Sequence, residues 1–141
     1  MKDLVRPDIF VWDPKYEIGH ELIDSQHRIF VLLLNKVAIN IARGTNREYL
    51  FRVLNELKKY AEFHFLSEEN LMYECRYPNI KEHEQIHSKI LVDLNLLLEH
   101  VSQDRAYPED VVAFLKGWIF NHIAHEDKKI ADHVKDLQQM S

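Results

Sequence analysis

The sequence predicts an all-α protein, an up-down-up-down four-helix bundle with an N-terminal arm and a short C-terminal helix. Three observations carry this expectation. The 141 residues include only 3 Gly and 4 Pro, so helix breakers are sparse. The breaks that do occur lie far apart and leave room for long helices. Between them, apolar residues recur at alternating steps of four and three, the period of helices packed in a bundle.

Each element can be justified in order. Residues 1–20 form an arm carrying Trp12 and Tyr16. The first helix is expected over 21–42, with the seam Ile23, His27, Phe30, Leu34, Val37, Ile41. Arg43-Gly44-Thr45-Asn46 ends it, and Thr45-x-x-Glu48 has the form of a capping box that starts the next. The second helix is expected over 46–73, with the seam Leu50, Leu54, Leu57, Ala61, His64, Glu68, Leu71. Cys75-Arg76-Tyr77-Pro78-Asn79 makes the next break, and a third helix over 80–102 carries His83, His87, Ile90, Leu94, Leu97 and Val101. After Asp104-Arg105-Ala106-Tyr107-Pro108, with Pro108 suited to a first helical turn, a fourth helix over 108–125 presents Val111, Leu115, Trp118 and His122. Ile130, Ala131, Val134 and Leu137 give a short amphipathic segment at about 128–139. The whole chain, 1–141, reads as one domain whose bundle spans about 21–127.

Composition narrows the function. A content of 46% hydrophobic and 29% charged residues is that of an ordinary globular chain. A net charge of −5 gives no basic footprint for nucleic acid. The single cysteine, Cys75, excludes a disulfide framework and a Cys-based zinc or iron–sulfur site. The N-terminus lacks a secretory signal, and the run Ile29–Leu34 is too short to span a bilayer, so a soluble cytoplasmic protein is expected.

Polar residues interrupt every seam. Five histidines and a glutamate stand where packing asks for Leu or Ile, and an unpartnered buried polar group costs roughly 1–3 kcal/mol. They must satisfy one another or share a ligand. In an antiparallel bundle His27, His83 and His87, near helix starts, meet His64, Glu68 and His122, near helix ends. Asp127, five residues past His122, falls at the same end. Seven donors in one layer make a metal site. Imidazole and carboxylate suit iron, zinc or manganese. Five His and two acids exceed what one tetrahedral zinc takes, whereas two metals bridged by Glu68 and Asp127 use every donor and leave a position open.

The pattern His27, His64-x-x-x-Glu68, His83-x-x-x-His87, His122-x-x-x-x-Asp127 resembles the ligand set of the hemerythrin family. The flanking segments Ile23–His27, His64–Glu69 and Trp118–Ile123, and Trp12 ahead of the first helix, resemble it too. The resemblance implies two iron ions with an oxo or hydroxo bridge. His83, His87 and His122 would hold one, His27 and His64 the other, and Glu68 and Asp127 would join them. It implies reversible dioxygen binding at the less-coordinated iron, in an apolar pocket for which Phe30, Trp118, Ile119 and Ile123 are candidates. The expected role is that of an oxygen carrier, store or delivery protein rather than an enzyme, with dioxygen as ligand. An oxygen or redox sensor, or a scavenger of peroxide or nitric oxide, is the alternative.

Other readings weigh less. His83-Glu84-Gln85-Ile86-His87 matches the zinc-protease pattern H-E-x-x-H, but on a helix Glu84 points about 100° off the seam. A ferritin-like di-iron oxidase wants Glu-x-x-His on two helices, and here Glu17-x-x-His20 falls before the first. His20 and His125 lie near the site but outside the pattern. His100 and His133 read as surface residues, and Cys75 as a bystander.

Overall fold

In the computed structural model, residues 10–104 and 108–140 are described, with backbone alone at 108, 109, 119, 120, 123 and 124. The regular elements among these residues are all helical, with no strand among them. After a single 3-10 turn at Pro14–Tyr16 come α1 (Glu21–Ala42), α2 (Arg47–Glu74), α3 (Ile80–Ser102) and α4 (Pro108–Asn121). A π-helical turn, His122–Asp127, and α5 (Lys128–Met140) follow. No helix among the described residues is long and apolar enough to cross a membrane.

The expected ends of α1 and α3 agree with those observed, and the turns explain why. Gly44, at φ +68°, and Thr45 return hydrogen bonds to the carbonyls of Ile41 and Asn40 (both 3.1 Å), closing α1 in a Schellman motif. The end of α2 repeats this geometry. Arg76 adopts φ +53°, and Tyr77 donates to the Met72 carbonyl at 2.9 Å.

Thr45 does not cap α2 as expected. Asn46 is the cap, accepting from the Tyr49 amide at 2.8 Å, while the Thr45 hydroxyl donates to Asn40 Oδ1 at 2.9 Å. Asn is as good a helix cap as Ser or Thr, so Thr45 is left to fasten the preceding turn.

The second difference concerns α4. The expected helix to residue 125 and separate C-terminal helix are one continuous helical path, interrupted in hydrogen bonding rather than direction. Asn121 and Lys128, on either side of the π-helical turn, both keep right-handed helical dihedrals. With no break between them, α5 runs on from α4 and folds its apolar side back over the bundle end. Ile130 and Ala131 are fully buried.

The main core fills the middle and far end of the bundle with Leu34, Val37, Leu54, Leu57, Leu94 and Leu115, all essentially inaccessible. It is wider than a single seam per helix. Val53, Phe65 and Leu98 are also buried, whereas Leu97 is only half-buried. Two smaller clusters seal the other end. Ile18 of the arm, Ile23 and Ala131 form one, and Met72, Tyr77 and Ile130 the other. The arm is fastened to α1 by paired hydrogen bonds between Asn35 and the Phe10 backbone (2.7 Å each). Nearer the bundle end, buried Asp24 accepts from the amides of Ile18 and Gly19 at 2.9 and 3.2 Å.

Candidate metal centre

Between the main core and the sealing clusters lies a layer of seven polar side chains, His27, His64, Glu68, His83, His87, His122 and Asp127, none more than 5% exposed. Antiparallel helix packing brings the first six together. Asp127 needs a further device. In an α-helix a residue five positions beyond His122 points about 140° away from it. The π-helical turn, hydrogen-bonded i to i+5, returns Asp127 to the side of His122, and the two side chains stand 2.9 Å apart, Nε2 to Oδ1.

The seven donors fall into two overlapping groups, each with its donor atoms within 4.8 Å of one another. One comprises His83, His87 and His122 with both carboxylates; the other comprises His27 and His64 with the same carboxylates. Asp127 Oδ2 meets His27 Nε2 at 2.8 Å, and its Oδ1 lies 3.3 Å from His83 Nε2. Glu68 Oε1 stands 2.8 Å from His64 Nε2 and 3.5 and 3.7 Å from His87 and His122 Nε2. Each carboxylate therefore faces both sets of imidazoles.

The electrostatics follow from this burial. Desolvation alone would lower the His64 and His122 pKa values, but the facing carboxylates outweigh it, and they rise to about 9 and about 10. Burial and mutual repulsion would raise Glu68, and burial would raise Asp127. The surrounding histidines instead hold both carboxyls below their ordinary range. Without a metal, the two buried anions favour protons on His64 and His122, which partly offset their charge.

The donor set fits a metal pair on an independent criterion. Glu68 Oε1 and Oε2, Asp127 Oδ1 and the Nε2 atoms of His64, His83, His87 and His122 are buried without an aligned hydrogen-bond partner. Several approach one another closely, yet in directions that make no hydrogen bond. Buried polar atoms left this way cost about 1–3 kcal/mol each. Imidazole nitrogens and carboxylate oxygens converging on common points are the donors hard and borderline cations take.

Aromatic side chains enclose the layer on the core side. Phe65 stacks on the His87 ring at 4.0 Å, and Phe30 stands edge-on to His64 and Trp118 at 5.0 and 5.2 Å. Of the sequence-predicted pocket residues, Phe30 lies beside His64, Trp118 packs against Phe30 and Phe65, and the side chains of Ile119 and Ile123 lie outside the described residues. Glu84 is exposed, so it has no place in the layer as the base of a protease. His20 caps α1, accepting from the Ile23 amide at 3.5 Å, and His125 is exposed. His133 is not the surface residue expected. It is half-buried, with Nε2 2.9 Å from the Cys75 carbonyl and its ring against Tyr77.

Sequence reasoning missed two residues behind the layer. Buried Gln26 places Oε1 2.6 Å from His64 Nδ1, and Glu69 places Oε2 3.0 Å from His87 Nδ1. Each sits next in sequence to one of the seven, one step off the seam and facing the adjacent helix. That position was the available signal.

The fold and this buried layer define a metal-binding four-helix bundle. Residues 18–134 match the hemerythrin HHE cation binding domain. A bacteriohemerythrin of Pseudomonas aeruginosa is 32% identical over 132 residues, covering 89% of this chain and 81% of that one. A myohemerythrin of Riftia pachyptila is 28% identical over 123 residues, covering 87% and 92% respectively. A crystal structure of wild-type hemerythrin superposes with a TM-score of 0.78 at 27% identity, over 85% of this chain and 93% of that one. The chain belongs to the hemerythrin family, and is of the di-iron, dioxygen-binding type.

Proposed function

We propose that the protein binds dioxygen reversibly, as a carrier, store or delivery protein, at two irons held by His27, His64, Glu68, His83, His87, His122 and Asp127. The observation that carries this reading is the inequality of the two donor groups, three imidazoles against two around the same pair of carboxylates. Two like metals placed there would differ by one ligand, and the metal beside His27 and His64 would keep a position free for a small molecule. When bound, the iron pair supplies the electrons that reversible dioxygen binding draws on.

The chain's own residues do the rest. Glu68 and Asp127 each offer oxygens to both groups and would hold a metal pair in common. Phe30 stands edge-on to His64, and Trp118 backs Phe30, so the side of His64 facing Phe30 is apolar. The sealing clusters of Ile18, Ile23 and Ala131 and of Met72, Tyr77 and Ile130 separate the layer from solvent. A dry site of this kind hinders proton entry and loss of the bound gas in altered form. The histidine-rich donor set also differs from the glutamate-rich set of ferritin-like di-iron proteins.

The test is a visible spectrum of the iron-loaded, reduced protein, before oxygen, under oxygen and after purging. Two irons per chain and an oxygen-dependent absorption that fades on purging are expected. Prompt and irreversible oxidation would overturn the carrier reading in favour of an oxidase, a scavenger or a redox sensor.

A further inference from the structure

We propose that Gln26 and Glu69 are positioning residues that hold His64 and His87 with Nδ1–H outward and Nε2 inward, and that their difference in charge makes the two metal subsites electronically unequal. The inference rests on reading the seven buried side chains as metal ligands.

The argument begins with the imidazole ring. A neutral histidine carries one N–H, and an acceptor fixed against one nitrogen leaves the lone pair on the other. His64 Nδ1 lies 2.6 Å from Gln26 Oε1, and His87 Nδ1 lies 3.0 Å from Glu69 Oε2. The Gln26 amide cannot turn freely, because its Nε2 donates to Ser67 Oγ at 3.0 Å. Its oxygen therefore faces His64. Both histidines then direct Nε2 at the shared carboxylates, 2.8 Å from Glu68 Oε1 for His64 and 3.5 Å for His87. By contrast, Nδ1 of His27 and of His122 has no hydrogen-bond partner and is buried. Among the described residues, Gln26 braces a ring of one donor group and Glu69 a ring of the other.

The braces also link the helices in sequence. Gln26 on α1 holds a ring on α2, and Glu69 on α2 holds a ring on α3. Each brace adjoins a candidate ligand of its own helix, Gln26 beside His27 and Glu69 beside Glu68. A helix that presents one ligand thus orients the next helix's ligand as well.

The chemistry of the two braces differs. Gln26 is a neutral amide. Glu69 is a carboxylate with a side chain 30% exposed, so solvent screens its charge only in part. A carboxylate behind a metal-bound imidazole makes the ring a stronger donor than an amide does. The subsite with three imidazoles receives that anionic support, and the subsite with two receives neutral support. The more electron-rich position is then the one with the full donor set, which favours the higher oxidation state there. The less-coordinated metal stays a weaker electron donor in the resting state.

The experiment uses the full chain in two metal forms. In the zinc-loaded protein, Glu69→Ala and Gln26→Ala should each lower zinc affinity about 10–100-fold, the usual effect of removing such a support. Affinity is read by competition with a chromogenic chelator, with helicity by circular dichroism as the folding control. Glu69→Gln keeps an acceptor and should recover most of the loss. In the iron-loaded protein, an anaerobic redox titration should show the midpoint potential rising in Glu69→Gln and falling in Gln26→Glu. Native zinc affinity in both alanine variants would overturn the positioning role. Potentials that stay put, or move the same way in both exchanges, would overturn the electronic inequality. If the zinc and redox results hold but oxygen is not bound reversibly, the functional reading fails and this one stands.

Discussion

Along the same four helices, one stretch packs Leu34, Leu54, Leu57, Leu94 and Leu115 against one another, while the next buries five imidazoles and two carboxylates. The hydrocarbon stretch needs nothing from outside the chain. Each side chain there gains about 1.5–3 kcal/mol by leaving water. The polar stretch, metal-free, holds buried atoms that no neighbour satisfies, and protons on His64 and His122 partly offset its negative charge. Helix formation and bundle topology thus belong to one half, and ligand chemistry to the other. Stability of the second half depends on what it binds.

Four measurements would break or sharpen that division. The largest effect is expected from His64→Ala, which removes one of two imidazoles from the smaller donor group. Oxygen binding should vanish and metal content fall while helicity is largely kept. Unchanged oxygen binding would sink the ligand assignment. Stripping the metals with a chelator comes next. At free metal a thousandfold above Kd, lost binding free energy amounts to about 4 kcal/mol, so Tm should drop sharply while the far-ultraviolet spectrum remains helical. A metal-independent Tm would show that the polar half is stable on its own.

Leu57→Ala, at a fully buried position in the hydrocarbon half, should cost about 3 kcal/mol. The cost should be equal in metal-loaded and metal-free protein, with metal content unchanged. Unequal costs in a thermal melt would mean the halves are coupled.

The smallest effect is the pH dependence of the metal-free form. His64 and His122 are raised from 6.5, so their contribution is full below that pH and is lost as pH rises through about 9 and about 10. Glu68 is lowered from 4.5 to about 2, so its contribution is present above 4.5 and is lost as pH falls towards 2. Metal-free Tm should therefore peak between about pH 4.5 and 6.5 and decline towards alkaline pH. Metal affinity should run the other way, rising with pH as the imidazoles shed protons. A metal-free Tm that rises from pH 7 to 10 would contradict the charge pairing.

The hydrocarbon half was largely legible in the sequence, because a bundle seam repeats along the helix and the chain offers few breakers. The seven polar positions were legible as exceptions to that repeat. Three features were not. Gln26 and Glu69 act across to a neighbouring helix, and periodicity within one helix carries no information about what faces it from the next. Val53, Phe65, Met72 and Leu98 are buried because each helix touches two neighbours, which widens its apolar face beyond a single row. The π-helical turn was hidden for another reason. A spacing of five between His122 and Asp127 looks like an acid just past a helix end, and only hydrogen bonding i to i+5 brings its carboxylate to the face of His122. The spacing itself was the clue.

That turn gives residues 122–127 a sensitivity unlike that of the rest of the chain. A substitution at a solvent-facing position in it changes one side chain. Removing a single residue would instead rotate everything that follows by about 100°. Asp127 would swing away from the other donors, and Ile130 and Ala131 would leave the seal they complete over the bundle end. In this segment it is length, more than composition, that heredity must copy faithfully.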